Sequence, residues 1–430
     1  MNPINGKVNT LTATKRTQWI PVTAIHEAAE RLKSVVVRTP LVKNENLSHR
    51  YACNVYLKRE DMQTVRSFKI RGAYNKIASL SPKALQNGVI CASAGNHAQG
   101  VAFACMQKKV AGVIYMPTTT PKQKISKVKH FGGEYVSIVM QGDTYDDAQQ
   151  AALEAATLSG AAFIHPFNDE TVIAGQGTLG LELDQEMDEH IDYVLLAVGG
   201  GGLIAGVGSY FKALSPGTKI IGVESEGAPA MTRSLEEGAL VTLKKIDSFV
   251  DGIAVRKVGE LTFNIAREVV DRMITVPEGK ICSTILNLYN DEAIVAEPAG
   301  AIGVAALDAL SEEIKGKNVV IILCGGNNDI SRTAEIRERS LLWEGKKHYF
   351  IIRFPQRAGA LREFLNVLGP EDDIAHFEYT KKRNSDTGPA LVGIELKRKE
   401  DYGGLIRRME EKNIQFLPIN NDPMLFEMLI

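Results

Sequence analysis

Lys69 is the residue of this chain whose surroundings best suit covalent chemistry. It lies in the segment Ser67-Phe68-Lys69-Ile70-Arg71-Gly72-Ala73, and the apolar spacing that follows predicts a short helix beginning at the lysine. We expect the positive end of that helix and the neighbouring Arg71 to lower the lysine pKa, which favours the neutral amine. A neutral lysine can form a Schiff base with an aldehyde cofactor. Most lysines at helix starts are merely solvated, so other motifs must decide.

Two turns rich in small residues follow predicted strands and offer backbone N–H groups to anions. Ser93-Ala94-Gly95-Asn96-His97-Ala98-Gln99-Gly100 follows the strand Val89–Ala92 and suits a carboxylate, although an ordinary tight turn fits it equally well. Gly199-Gly200-Gly201-Gly202-Leu203 follows the strand Tyr193–Val198. Four consecutive glycines are unfavourable to order, which indicates a backbone wrapped around a phosphate. With Lys69, these turns suit an aldehyde cofactor that carries a phosphate, above all pyridoxal phosphate.

Nucleotide binding by the glycine run is less favoured. A Walker loop fails because Val207 occupies the position of its lysine. A dinucleotide site is closer, since the next strand, Ile220–Val223, ends in Glu224 where a ribose partner belongs. However, Ile204 replaces the third glycine of that pattern, so NAD binding stays a secondary alternative.

A cysteine follows another predicted strand, Val319–Leu323, in the turn Cys324-Gly325-Gly326-Asn327. At the end of a strand its thiol can meet the ring nitrogen of a cofactor. On local grounds alone a buried core cysteine is the commoner explanation.

Short apolar strands alternate with helices through the first 340 residues, after an opening helix from Val22 to about Lys33. This alternation predicts parallel sheets covered on both faces, with ligands at the carboxyl ends of the strands. We expect a loose tail at 1–20 and a catalytic part at 21–340, in which a smaller subdomain at about 60–160 is inserted into a larger one. Besides the strands already named, the pattern predicts strands at Asn54–Leu57, Val110–Met116 and Glu134–Val139, and helices at Asp146–Ser159 and Gly202–Leu214.

The pattern changes near Ser340, and Leu341–Lys347 is the predicted linker. The remaining segment, 348–430, predicts a ferredoxin-like β-α-β-β-α-β domain without a catalytic cluster. Its elements are expected at His348–Phe354, Gly359–Leu368, Ala375–Lys381, Ala390–Lys397, Asp401–Lys412 and Gln415–Pro418.

Composition excludes several functional classes. The 430 residues carry 51 acidic and 50 basic side chains, so no strong field for nucleic acid or an anionic membrane is expected. The five cysteines are scattered singly, without metal-type or disulfide spacing, which indicates a reducing compartment. No signal sequence or membrane span is recognisable. We expect a cytoplasmic protein.

Taken together, Ser67–Ala73, Ser93–Gly100, Gly199–Leu203 and Cys324–Asn327 resemble, in that order, the threonine dehydratase (threonine ammonia-lyase) group of fold-type II pyridoxal-phosphate enzymes. The resemblance covers about residues 20 to 335 and implies the tryptophan synthase β-like fold. The tail, with the segment Phe354-Pro355-Gln356-Arg357-Ala358-Gly359-Ala360-Leu361, resembles the ACT-like regulatory module of biosynthetic threonine dehydratases. A short form with one such module is implied.

The resemblance also implies roles for individual residues. Lys69 is the catalytic residue and holds the cofactor, Cys324 meets its pyridine nitrogen, and Asn96 donates to its ring hydroxyl. The other implied cofactor-binding residues are Phe68, Gly199, Gly200, Gly201, Gly202 and Leu203. The implied substrate-binding residues are Ser93, Ala94, Gly95 and His97.

The implied reaction is the α,β-elimination of water from threonine, which yields 2-oxobutanoate and ammonia. Racemases of this fold carry serine where this chain has Ala94, which argues for elimination. Some relatives bind a divalent cation through two acids and a backbone carbonyl. Glu224 and Ala228 could supply one acid and the carbonyl here, but Ala230 stands in the place of the second acid, so no metal is expected. The resemblance further implies a homotetramer and feedback by isoleucine, with valine as a second effector. A serine dehydratase, a cysteine synthase-like enzyme and a non-catalytic amino-acid sensor stay open as alternatives.

Overall fold

The computed structural model describes residues 19–379 and 386–430. The predicted tail, 1–20, therefore lies outside the described residues except for Trp19 and Ile20. The strands in the described part of the chain are β1 (Leu41–Lys43), β2 (Asn54–Lys58), β3 (Val89–Ala92), β4 (Gly112–Met116), β5 (Val136–Met140), β6 (Ala162–Phe163), β7 (Tyr193–Ala197), β8 (Lys219–Ser225), β9 (Arg272–Val276), β10 (Asn318–Ile322), β11 (Lys347–Pro355), β12 (Asp373–Tyr379), β13 (Thr387–Glu395) and β14 (Gln415–Pro418).

The predicted helices in the first half of the chain are confirmed to within one residue at their ends. The α-helices of the described residues are α1 (Val22–Leu32), α2 (Glu45–Tyr51), α3 (Lys69–Ser79), α4 (Asn96–Lys108), α5 (Lys122–Gly132), α6 (Tyr145–Ser159), α7 (Glu170–Glu186), α8 (Gly202–Leu214), α9 (Ala230–Glu237), α10 (Glu260–Val269), α11 (Glu278–Glu292), α12 (Pro298–Ala305), α13 (Thr333–Trp343), α14 (Ala360–Leu365), α15 (Tyr402–Glu411) and α16 (Pro423–Leu429).

Two mainly parallel sheets form the larger part of the molecule. The first has the strand order β1-β2-β10-β7-β8-β9, and only β1 runs antiparallel to its neighbour. The second has the order β5-β4-β3-β6 and is parallel throughout. The predicted α/β class is thus confirmed. Strands β1 and β6 were not predicted because two or three residues are too short to show a pattern.

The smaller sheet is built from the chain between β2 and β7, and each sheet has its own hydrophobic core. All four residues of β3 are buried, as are the last four of β7 and of β10. Continuous burial of this kind is expected for parallel strands that helices cover on both faces. Among the described residues no helix is long and apolar enough to cross a bilayer.

A buried ion-pair network fixes the start of α3, the helix that begins at Lys69. The Arg71 guanidinium donates twice to Glu60, at 2.8 Å and 2.8 Å, and twice to Glu182 of α7, at 2.6 Å and 3.0 Å. Lys58 donates to Thr39 at 2.7 Å and pairs with Glu182 at 2.9 Å. Because each buried charge has partners of opposite sign, the network locks the helix start against the sheet and α7.

The tail folds as predicted into a four-stranded antiparallel sheet. Its strand order is β12-β13-β11-β14, which is the ferredoxin-like arrangement. One face packs on α14 and α15 through a core that contains Phe350, Phe364 and Leu405. The predicted strand Ala375–Lys381 ends at Tyr379 within the described residues, and 380–385 lie outside them.

The segment predicted as a linker, Leu341–Lys347, differs in the structure. Its first three residues end α13, and Lys347 already begins β11, so only 344–346 connect the two elements. A helix and a strand can follow so closely here because Leu342 packs against Tyr349 and Leu391 in a small hydrophobic cluster.

Replacing Arg71 by alanine should strongly destabilise the protein, because buried Glu60 would lose its cation and Glu182 would keep only Lys58. We expect a loss of about 3–5 kcal/mol in the free energy of unfolding, measured by chemical denaturation. The control Glu27→Gln breaks an exposed pair with Arg31 on α1 and should change the value by less than about 1 kcal/mol. Equal losses for both variants would contradict the role given to the network.

Candidate active site

A cavity lies where the carboxyl ends of β3, β7 and β10 open into loops, and about 420 Å³ of space separates the protein atoms there. All nine predicted cofactor residues line it, although their individual roles stay predictions. These residues are Phe68, Lys69, Asn96, Gly199, Gly200, Gly201, Gly202, Leu203 and Cys324. The wall also includes Phe167, Ala197, Gly252, Ile253, Glu297 and Ala299.

Lys69 is the first residue of α3, and its amine is buried in this cavity. Its Nζ donates to the carbonyl of Pro166 at 3.0 Å and lies 5.3 Å from the centre of the Phe68 ring. Burial lowers the lysine pKa from its usual 10.5 to about 8, while the negative forms of Cys324 and Glu297 act in the opposite direction. A substantial fraction of the amine is therefore neutral at slightly alkaline pH.

The prediction that Arg71 helps to lower the pKa of Lys69 is wrong. Arg71 was expected to repel the lysine charge, but its guanidinium is held by Glu60 and Glu182. The largest contribution comes from removing the Lys69 ammonium group from water.

The four-glycine loop joins β7 to α8, and side chains are excluded from it by close packing. A Cβ at Gly199 would lie 2.8 Å from the Ile253 backbone, and one at Gly200 would lie 2.1 Å from the Phe167 ring. Gly201 has φ +91°, a left-handed conformation that favours glycine. The loop leads directly into the amino end of α8, where unpaired N–H groups attract anions. This cradle fits the phosphate of pyridoxal phosphate.

Cys324 follows β10, the strand that pairs with β7 and so lies next to the strand that leads into the glycine loop. Its thiol is buried and donates to the carbonyl of Ala299 at 3.1 Å. Burial raises the thiol pKa well above its usual range, so the group stays neutral. A neutral donor of this kind fits a pyridine nitrogen that is not fully protonated.

Asn96, at the start of α4, is held by two neighbours. Its amide nitrogen donates to Glu297 at 2.6 Å, and its oxygen accepts from Asn327 at 2.7 Å. The nitrogen keeps one further hydrogen that can be donated to a ligand. This arrangement fits the predicted contact with a ring hydroxyl.

The predicted substrate residues Ser93, Ala94 and Gly95 form a half-buried loop beside Asn96. They are not among the residues that line the cavity in the described part of the chain. His97 is different, because its Nε2 contacts the Ile164 carbonyl at 2.9 Å and its side chain is buried. Burial lowers the pKa of His97 to about 3, so the ring is neutral. Its side chain thus packs against the chain at Ile164 and does not line the cavity, and its part in substrate binding stays a prediction.

Sequence reasoning missed three wall residues that matter for the geometry: Phe167, Ile253 and Glu297. Glu297 begins the segment Glu297-Pro298-Ala299-Gly300-Ala301, which reads as a turn and indicates no function by itself. It directly precedes Pro298 at the start of α12, a position typical of a helix cap, yet its side chain makes no capping bond. Nothing local distinguishes such a residue, because the cavity brings together segments that are distant in the chain.

The carboxyl group of Glu224 is turned toward the first turn of α9. Its carboxyl accepts from the backbone of Met231 at 2.8 Å and from the backbone and side chain of Thr232 at 2.8 Å and 2.7 Å. These bonds fix the first turn of α9 and occupy both oxygens. The dinucleotide alternative loses its acidic residue for this reason.

Comparisons with known proteins agree with this geometry. The chain matches the family profile of pyridoxal-phosphate dependent enzymes over residues 32–325. The processed form of threonine deaminase isoform 2 from Solanum lycopersicum superposes with a TM-score of 0.71 at 44% identity, covering 75% of this chain and 88% of that one. Serine racemase from Dictyostelium discoideum gives a TM-score of 0.67 at 31% identity, covering 72% and 99%. The chain belongs to the fold-type II pyridoxal-phosphate-dependent enzymes.

The C-terminal domain shows to which group of these enzymes the chain belongs. Residues 338–429 match the C-terminal regulatory domain of threonine dehydratase. The whole chain is 59% identical over 404 residues to L-threonine dehydratase biosynthetic IlvA of Halalkalibacterium halodurans, covering 94% of this chain and 97% of that protein. The same enzyme of Bacillus subtilis is 55% identical, covering 97% and 99%. Within its class, the chain belongs to the biosynthetic threonine dehydratases.

Gly200→Ala should weaken cofactor binding, because the added methyl group would overlap the Phe167 ring and displace the loop from the phosphate. We expect at least about a tenfold rise in the dissociation constant, roughly 1.4 kcal/mol, measured by titrating the cofactor-free protein. Gly217→Ala is the matched control, since its Cβ would lie 3.6 Å from His190, an ordinary contact. Unchanged affinity in Gly200→Ala would contradict the phosphate role of the loop.

Proposed function

We propose that this chain converts L-threonine into 2-oxobutanoate and ammonia, the first step of isoleucine biosynthesis. The observation that carries the proposal is the buried Lys69 amine facing a glycine cradle in one cavity. Relatives named L-threonine dehydratase share 52–59% of its residues over most of the chain, which supports the substrate.

Pyridoxal phosphate, when bound here, supplies an electron sink for the Cα of the amino acid. The chain's own residues would do the rest. Lys69 Nζ would take the proton from Cα, because its lowered pKa makes a larger fraction of the amine neutral than in a free lysine. Asn96 and the glycine loop would hold the group in place, and the Cys324 thiol would meet its ring nitrogen. Water is lost from the substrate and then regained as ammonia leaves, so the sum is threonine to 2-oxobutanoate and ammonia.

Serine is the competing substrate, and racemisation the competing reaction. The superposition on a serine racemase supports a common fold. Ala94, in the loop beside Asn96, carries no group that can exchange a proton, which favours elimination. The amino-acid sensor alternative is disfavoured by the Lys69 amine, whose pKa is lowered to about 8 in the same cavity as the glycine loop.

Lys69→Ala should abolish both the long-wavelength absorbance of bound cofactor and the formation of 2-oxobutanoate, because no other amine lines the cavity in the described part of the chain. Threonine and serine should be assayed side by side with the spectrum. Lys129→Ala, at an exposed lysine of α5, is the control and should keep both signals. A yellow and active Lys69→Ala protein would refute the assignment.

The tail domain is proposed to bind isoleucine, with valine as a second effector, and the active form is proposed to be a cytoplasmic homotetramer. All five cysteines are unpaired, which supports a reducing compartment. The regulatory role draws support from α13, which contacts both parts of the chain. Its Arg337 donates to Glu395 of β13 at 3.1 Å and 2.6 Å, and its Glu338 accepts from Tyr349 of β11 at 2.7 Å.

The opposite side of α13 lies against a loop that reaches the cavity. Arg339 of α13 places its guanidinium 4.3 Å from the centre of the Phe249 ring. Arg332, just before the helix, donates to the Phe249 carbonyl at 2.8 Å. The same loop continues into Gly252 and Ile253, which line the cavity. A shift of the tail sheet can therefore reach the cofactor through one helix.

Glu395→Gln should weaken the isoleucine response while leaving activity without effector within about twofold, because the ion pair between tail and α13 would lose its charge. The effector concentration for half-maximal inhibition is the measurement. Glu371→Gln removes an exposed pair with Lys397 in the same domain and should leave the response unchanged. An unaltered response in Glu395→Gln would exclude this route.

A further inference from the structure

Glu297 is a carboxyl group in the cavity wall that the proposed reaction does not use. The residue is 5% exposed and precedes α12, yet its side chain turns into the cavity instead of capping the helix. Burying a carboxyl group without need is unfavourable. The position of this carboxyl group in the cavity wall therefore indicates a function in ligand binding.

Hydrogen bonds fix the orientation of every amide near this carboxyl. The Val65 carbonyl can only accept, so the nitrogen of Asn327 must face it, at 2.9 Å. The same nitrogen donates to the Asn96 oxygen at 2.7 Å, and Lys127 donates to the Asn327 oxygen at 3.2 Å. The Asn96 nitrogen is thereby turned toward Glu297, which accepts at 2.6 Å.

The surrounding backbone is shaped around the same carboxyl. A Cβ at Gly325, the residue after Cys324, would lie 2.2 Å from Glu297 Oε1. Any side chain there would displace the carboxyl from Asn96. The glycine after the cysteine thus makes room for the acid, which is a second observation independent of the amide chain.

We propose that Glu297 is a positioning residue for the cofactor, which holds the Asn96 N–H toward the ring and supplies the negative charge opposite Lys69. The inference rests on the proposed use of Asn96 and Lys69 in this cavity. Glu297 acts through these two residues and is not itself assigned a bond to the substrate.

The electrostatics support this role. Burial, and then Asp251, raise the pKa of Glu297 to about 7, whereas the Asn96 bond and Lys124 act in the opposite direction. The other charged or ionisable groups that interact with it are Lys69, Cys324 and Lys127. Below about pH 7 the acid is mostly neutral; above it, the carboxylate stabilises the Lys69 ammonium and raises the pKa of that lysine.

The test uses full-length, cofactor-free protein with pyridoxal phosphate as the probe. Capture of the aldehyde needs neutral Lys69, so the rate of the absorbance change should rise with pH and report the lysine pKa. In Glu297→Gln the amide oxygen still accepts from Asn96, so affinity should stay within about threefold. The carboxylate is gone, however, so the midpoint of the capture profile should move to lower pH.

Glu297→Ala removes both functions and should also weaken cofactor affinity by about tenfold. Glu268→Gln, on the exposed side of α10, is the control and should shift neither affinity nor midpoint. A wild-type midpoint in Glu297→Gln overturns the inference, even if Glu297→Ala proves too unstable to study. Failure of the proposed function itself looks different, because the wild-type protein would then capture no cofactor.

Discussion

Burial of one amine is the constraint on which this molecule depends. An ammonium group taken out of water loses solvation that the cavity does not replace, so the pKa of Lys69 falls to about 8. A free lysine near neutral pH is almost fully protonated and cannot attack an aldehyde. The two parallel sheets, the loops at their carboxyl ends and the helix that begins at Lys69 all serve to bring this amine into a protected cavity while leaving it a path to the ligand.

Two kinds of contact fix the shape of the cavity. On the far side of α3, Arg71 is tied to Glu60 and Glu182 by four hydrogen bonds, so the position of Lys69 is set by a network that never touches the ligand. On the near side, close packing against the backbone, and not ion pairing, fixes the shape of the cavity wall. Phe167 and Ile253 pack so closely against the glycine loop that Gly199 and Gly200 have no room for a side chain.

The parts of this site that the sequence could predict are those with a local signature. A lysine at a helix start, a glycine run after an apolar strand and a cysteine at a strand end each show their setting within about ten residues. Glu297 and Phe167 have no such signature, since their neighbours come from segments far along the chain. The Lys69 amine, for example, contacts the carbonyl of Pro166, 97 residues away.

The same limit explains why the local argument about Arg71 failed and why the His97 ring lies apart from the cavity. Arg71 stands two residues from Lys69 in the chain, but its side chain points to Glu182, 111 residues away, and its charge is neutralised there. His97 follows Asn96 directly, yet its ring is buried against Ile164, whereas Asn96 lines the cavity. In both cases tertiary packing, which a single sequence does not display, decided where the side chain points.

Helix α13 shows why a regulatory domain can act on a site that it does not touch. Ion pairs join one side of the helix to the tail sheet, whereas guanidinium groups on its other side hold the Phe249 ring and carbonyl. Under the proposed regulation, a displacement at Glu395 would move a stiff helix that also contacts Phe249. The loop after Phe249 contains Ile253, which packs against Gly199 of the glycine loop. Tight packing around the phosphate therefore makes the site sensitive to small movements of its outer supports.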